Sequence, residues 1–167
     1  MATITCRGFT VQTDGDFPVV GQTAPPFELV DKDLNDIPLS HFNGKKTVLS
    51  IVPSLDTKVC PISTIKFNKM AEQFPGVNFV VISADLPFAM DRFCVAENLE
   101  NITSLSMMRS KQFGTDYGVL MLDGPMGGIT ARAVLVLDEA QKVIHGELVE
   151  NTSNEPDYGA VEAALSR

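Results

Sequence analysis

The order of hydrophobic and polar positions divides the chain into short elements of strand and helix length. Residues 2–20 alternate apolar and polar in places, which predicts a small N-terminal hairpin. "GQTAPPFELVD" reads as loop running into a short strand at 27–30, and "KDLNDIPLSHFNGK" as turn-rich with a helical turn around 40–42. "TVLSIV", 47–52, is a continuous apolar run of strand length, as expected for a strand buried on both faces. From Val59 to Phe74 the spacing becomes helical, with Ile62, Ile65, Met70 and Phe74 as the apolar positions and Gly76 as a stop. "VNFVVISAD", 77–85, is a second buried strand. The segment 86–101 predicts a helix with Pro87 in its first turn, where a missing N–H costs nothing. A strand at 102–108 and a short helix in "SKQFGTDYGV" follow. "GPMGGI" is a turn cluster, "TARAVLVLD" and "KVIHGELVE" are strands joined at 138–141, and 158–166 is a last amphipathic helix.

This is a βαβ unit, an αβ unit, a β-hairpin and a helix. Alternating units predict a parallel core, and the late hairpin adds antiparallel strands. The order is that of a thioredoxin-like α/β sandwich: a mixed central sheet flanked by helices, with an N-terminal β-hairpin extension over 1–20. The 167 residues contain no evident linker or repeat and are read as one domain, 1–167.

Composition narrows the function. The chain is 44% hydrophobic with a net charge of −8, and an acidic surface argues against nucleic-acid binding. No apolar stretch approaches the ~20 residues of a membrane span. The start, "MATITCRGFTVQTDGD", has no signal core, so a cytoplasmic location is the expectation. Three cysteines, Cys6, Cys60 and Cys94, do not make a secreted disulfide framework, and no CxxC or HxxxH spacing suggests a metal site.

Cys60 stands out by position. It follows a buried strand and opens a helix, so it lies at the carboxyl edge of a sheet, where α/β folds place ligands. A first-turn sulfur near free N–H groups and the positive end of the helix dipole is favoured as the thiolate, the nucleophilic form. Thr57, three residues earlier, can share a face with it. Its hydroxyl can address the sulfur, cap the helix, or do both. Pro53 ends the strand and can shield a pocket. Arg132 precedes the strand "AVLVL"; it can reach solvent from the strand end or turn inward, where it needs a partner.

Pro53, Thr57 and Cys60 reproduce the P-x-x-x-T-x-x-C pattern of peroxiredoxins. The longer string "PSLDTKVC" resembles the version in bacterial thiol peroxidases, a peroxiredoxin subfamily. "VGQTAPPFELVD", "ISADLPFAMDRFC" and "TARAVLVLD" occur in the subfamily's order, so the resemblance covers nearly the whole chain. It implies a thiol-dependent peroxidase acting on hydrogen peroxide and organic hydroperoxides, with no metal, haem or flavin. Cys60 would be the peroxidatic cysteine, oxidised to a sulfenic acid. Thr57 would bond the peroxide and the sulfur, Pro53 would cover the site, and Arg132 would lie beside the sulfur, lower its pKa and bond the peroxide. Cys94, by pattern alone a small apolar packer, would be the resolving cysteine of a Cys60–Cys94 disulfide reduced by thioredoxin. A homodimer is implied as well.

Ser63, where thioredoxins carry their second cysteine, argues against a plain disulfide oxidoreductase. A peroxide sensor passing oxidation to partner proteins is the alternative with the same chemistry. Cys6, His41 and His145 match no catalytic position. Leu55 and neighbouring phenylalanines suggest an apolar surround suited to bulky alkyl hydroperoxides.

Overall fold

A computed structural model describes all 167 residues. A seven-stranded sheet runs through the molecule in the order β10-β9-β5-β6-β7-β3-β4. β5 (Thr47–Ile51), β6 (Asn78–Ser83) and β7 (Thr103–Ser106) are parallel. β9 (Ala133–Leu137) and β10 (Val143–Leu148) join antiparallel on one side. β3 (Glu28–Val30) and β4 (Asp36–Pro38) do so on the other. Every residue of β5 is buried, the polar Thr47 and Ser50 included, as expected for a strand covered on both faces.

The period of two sorts the strand side chains to two faces. Val48, Phe79, Val134 and Val136 pack against Phe67, Met70 and Ala71 of α1 (Cys60–Gln73) and Val161 and Ala164 of α4 (Tyr158–Leu165). Leu49, Ile51, Val80, Ile82, Leu135 and Leu137 face the other way, toward Leu39 and Phe42 of a 3-10 turn and Phe113 and Tyr117. Phe113 belongs to the short α3 (Gln112–Asp116). The buried Tyr117 hydroxyl is satisfied by donating to Pro25 O at 2.7 Å. α2 (Pro87–Ala96) lies over Val81 and places Met90 in the same small cluster as Val52, Leu55 and Cys60.

Several sequence expectations need correction. The N-terminal hairpin, β1 (Thr3–Cys6) and β2 (Phe9–Asp14), is really three-stranded, because β8 (Leu120–Met121) pairs with β2. A two-residue strand carries no period for the sequence to show, and β4 was hidden by turn residues in the same way. The helix expected over 86–101 ends at Ala96, with Asn98 in a left-handed conformation at φ 55°. In α1, Ile62 and Ile65 are 46% and 39% exposed, not an inward stripe. The inward face is Ser63, Thr64, Phe67, Met70 and Ala71. Both inward hydroxyls are satisfied by donating to Cys60 O, at 3.1 and 2.8 Å. No helix is long and apolar enough to cross a membrane.

Candidate active site

β5 ends at the sheet's carboxyl edge and hands the chain to the loop 52–59. Cys60 then opens α1 with Pro61 directly after it, a residue suited to the first turn because its missing N–H had no intrahelical partner to lose. Cys60 is fully buried. Two donors converge on its sulfur: Thr57 Oγ1 at 2.7 Å and Arg132 Nη2 at 3.1 Å. Pro53 and Thr57 line a cavity of about 480 Å³ together with Arg132.

Thr57 is not the helix cap. The capping position is Val59, which has no side-chain bond to offer. The Thr57 hydroxyl lies 2.9 Å from Ser54 O and 2.7 Å from Cys60 Sγ, and it has one proton to give. With a thiol at Cys60, S–H donates to Oγ1 and the hydroxyl donates to Ser54 O. With a thiolate, the hydroxyl donates to sulfur. The bond to Ser54 O thus belongs to the thiol state, and the hydroxyl turns its one proton to sulfur when the thiolate forms.

Arg132 does not reach solvent: it is 2% exposed. Its Nε and Nη2 donate to Thr152 O at 3.2 and 3.1 Å, which fixes the guanidinium plane. No carboxylate pairs with it. A buried cation without an anion is costly, and the sulfur is the partner placed to supply one. Its Nη1 is buried with no acceptor, an orphan donor on a residue that lines the cavity.

These three groups are the chemistry of an activated thiol, and the rest of the molecule matches known proteins of that kind. Residues 19–161 match the family model described as Redoxin. A thiol peroxidase of Corynebacterium glutamicum is 43% identical over 166 residues, 99% of this chain and 100% of that one. The chain belongs to the redoxin family, as a peroxiredoxin of the thiol peroxidase kind. A crystal structure of a peroxiredoxin-like protein from Aquifex aeolicus superimposes with a TM-score of 0.93 at 37% identity, over 99% of this chain and 96% of that one. A thiol peroxidase from Chromobacterium violaceum gives the same TM-score and coverage at 27% identity. The thioredoxin-like peroxiredoxin fold and the peroxidase activity expected from the sequence hold.

The other cysteine of the expected pair is near but elsewhere. Cys94 sits on α2, half-buried, and opens onto a separate cavity of about 490 Å³ lined by Asp91, Leu99 and Thr103 among others. Burial pushes its thiol above the ordinary range; the charge of Asp91 pushes the same way, and Lys32 opposes. Met90 and Phe93 of the same helix pack into the cluster that holds Cys60. The three cysteines are free thiols. Cys6 is a core residue of the hairpin layer beside Ile4, Val11 and Met121, donating to Met126 Sδ at 3.5 Å. His41 stacks edge-on to Phe42 at the surface and His145 lies on β10.

Two features were not anticipated. Asp85 ties the cysteine loop to the start of α2. Its carboxylate accepts from Ser54 Oγ at 2.6 Å, Leu55 N at 2.8 Å and Ser83 Oγ at 2.7 Å, while its carbonyl accepts from Ser106 Oγ. The available signal was three polar residues, Ser54, Ser83 and Asp85, at the carboxyl ends of adjacent parallel strands. The second is the cavity's character. Leu55 is buried in the cluster beneath Cys60 and does not line the cavity; its wall combines the charged Arg7, Asp56, Lys58 and Arg132 with the apolar Pro53, Val59 and Met126. Leu55 is therefore not part of the expected apolar surround, because the loop turns its large apolar side chain into the core.

Proposed function

We propose that this peroxidase reduces hydrogen peroxide and organic hydroperoxides to water or alcohols through Cys60 and Cys94. The supporting observation is the pair of donors on Cys60 Sγ, Thr57 and Arg132, with Arg132 Nη1 left over. A thiolate at Cys60 attacks one peroxide oxygen. The S–O bond forms as the O–O bond breaks, and the departing oxygen takes a proton to become water or alcohol. On this reading Arg132 Nη1 donates to the peroxide, and the Thr57 hydroxyl turns its one proton from sulfur to the peroxide oxygens as charge leaves sulfur. Pro53 covers the site against water.

The resulting sulfenic acid is attacked by Cys94. Water leaves, and an intramolecular Cys60–Cys94 disulfide forms. A bridge needs the two Cα atoms within about 7 Å. Here Cys60 is fully buried while Cys94 opens to the other cavity, so the first turn of α1 and the last turns of α2 unwind in this step. A thioredoxin-like dithiol protein then reduces the disulfide. We read residues 1–167 as one domain and the working form as a cytoplasmic homodimer, for which exposed Ile62, Ile65, Leu86 and Phe88 offer apolar surface.

The test is stopped-flow peroxide consumption coupled to thioredoxin and its reductase. Cys60→Ser abolishes turnover. Cys94→Ser gives one turnover and stalls; full recycling by that variant would remove Cys94 from the cycle.

A further inference from the structure

The cavity over Cys60 has a charge opposite to that of the whole protein. Three of the 13 lysines and arginines line it, Arg7, Lys58 and Arg132, against one of the 21 acidic residues, Asp56. Even with a thiolate at Cys60 the site stays net positive, within a chain of net charge −8. Arg132 is committed to the sulfur and to Thr152. Arg7 and Lys58 are not committed: neither makes an ion pair or a side-chain hydrogen bond, the ion pairs being Asp16 with the N-terminus, Lys66 with Glu155 and Arg109 with Asp36.

Arg7 is also placed against local preference. Cys6 pairs with Phe9, so Arg7 and Gly8 form the two-residue tip of the β1–β2 hairpin, both with positive φ, 50° and 84°. Such a turn favours Asn-Gly, Asp-Gly or Gly-Gly, because a side-chain-bearing residue is strained there. Breaks in local rules concentrate where function needs a particular side chain. This tip is where the N-terminal hairpin reaches the peroxide cavity, and the residue accepting the strain is an arginine with a free guanidinium.

We propose that Arg7, assisted by Lys58, makes this cavity a receptor for organic hydroperoxides that carry a carboxylate. This rests on the peroxidase reading above. A volume of about 480 Å³ is far more than hydrogen peroxide fills, given that a water molecule's share of the liquid is about 30 Å³. A carboxylate approaching a thiolate is repelled unless cations stand between them and around them. The guanidinium fork matches a carboxylate with two parallel bonds. The reacting end is unchanged: the S–O bond forms at Cys60, the O–O bond breaks, and the substrate leaves as the hydroxy acid anion after its alkoxide takes a proton from solvent.

The test uses the full chain in single turnover, with cumene hydroperoxide and its para-carboxylate as matched neutral and anionic probes. The rate constant for Cys60 oxidation is expected to be about tenfold higher for the carboxylate at low salt, the worth of one charge-assisted contact. Added salt is expected to erase that advantage. Arg7→Asn is the decisive variant, because asparagine suits the turn. It should raise the melting temperature while bringing the two rate constants within about twofold, and Arg7→Lys should keep part of the preference. Equal rates in the natural protein, or a preference that survives Arg7→Asn, would overturn the proposal while leaving the peroxidase reading intact. Failure of both probes to oxidise Cys60 would overturn both.

Discussion

At the scale of single residues, the site balances stability against reactivity. Arg132 is a buried cation whose acceptors are a carbonyl and a sulfur, with no carboxylate to compensate it. Replacing buried ionic groups by apolar ones of similar size is often neutral or stabilising. Arg132→Met is therefore expected to keep or raise the melting temperature while lowering kcat/KM for peroxide about 100-fold, the scale of losing a preorganised donor. Thr57→Val should lower it by a similar factor, and Thr57→Ser should retain most of the activity, since the hydroxyl and its Ser54 tether survive. Steady-state kinetics beside calorimetry checks both. Cys94 adds a pH dependence. Its thiol is held above the ordinary range, first by burial and then by Asp91. The folded state thus favours the protonated thiol. That contribution is full below the ordinary thiol range and is lost as pH rises through it toward the folded value. Docking of Cys94 weakens in alkali while its nucleophilic form increases. The rate of disulfide formation after sulfenic acid formation should rise steadily into the alkaline range, and Asp91→Asn should shift that profile to lower pH. A profile flat from neutral to alkaline pH would contradict this.

At the scale of elements, the chemistry depends on two strand-to-helix junctions held by one carboxylate. Asp85 bonds the loop before Cys60 and precedes the helix bearing Cys94. Removing one partner of a buried hydrogen-bond network costs about 1–3 kcal/mol. Asp85→Asn should lower stability by that amount and slow Cys60 oxidation, and Ser54→Ala should give a smaller loss of both. Thermal unfolding and single-turnover kinetics read the two effects. The long elements were legible because their patterns are strong: β5 and β6 are short runs dominated by apolar residues, and Cys60–Gln73 has a proline start and a glycine stop. β4 and β8 were not legible, being three and two residues long. The inward face of α1 was misread because Ser63 and Thr64 are buried with their hydroxyls satisfied inside the helix, so polarity did not report exposure there. Pro53, Thr57, Cys60 and Arg132 were found through a linear motif and its family resemblance. Asp85 and Arg7 were not found, because Asp85 ties down a loop 30 residues earlier in sequence and Arg7 lines a cavity built by residues 53–59 and 126–153.

At the scale of the whole molecule, the fold assembles groups spread from residue 7 to residue 152 around one sulfur. The sheet's carboxyl edge supplies the cysteine loop, the residue before β9 the arginine, the chain after β10 the Thr152 carbonyl, and the N-terminal hairpin the cavity rim. The second sulfur faces another cavity, so the proposed cycle calls for movement between two states of the same fold. The most direct test is a thiol-specific mass measurement before and after one equivalent of peroxide. Cys60 and Cys94 should be lost together as one intramolecular disulfide, with Cys6 still free. A sulfenic or sulfinic Cys60 beside a free Cys94, or a bridge involving Cys6, would contradict the proposed cycle.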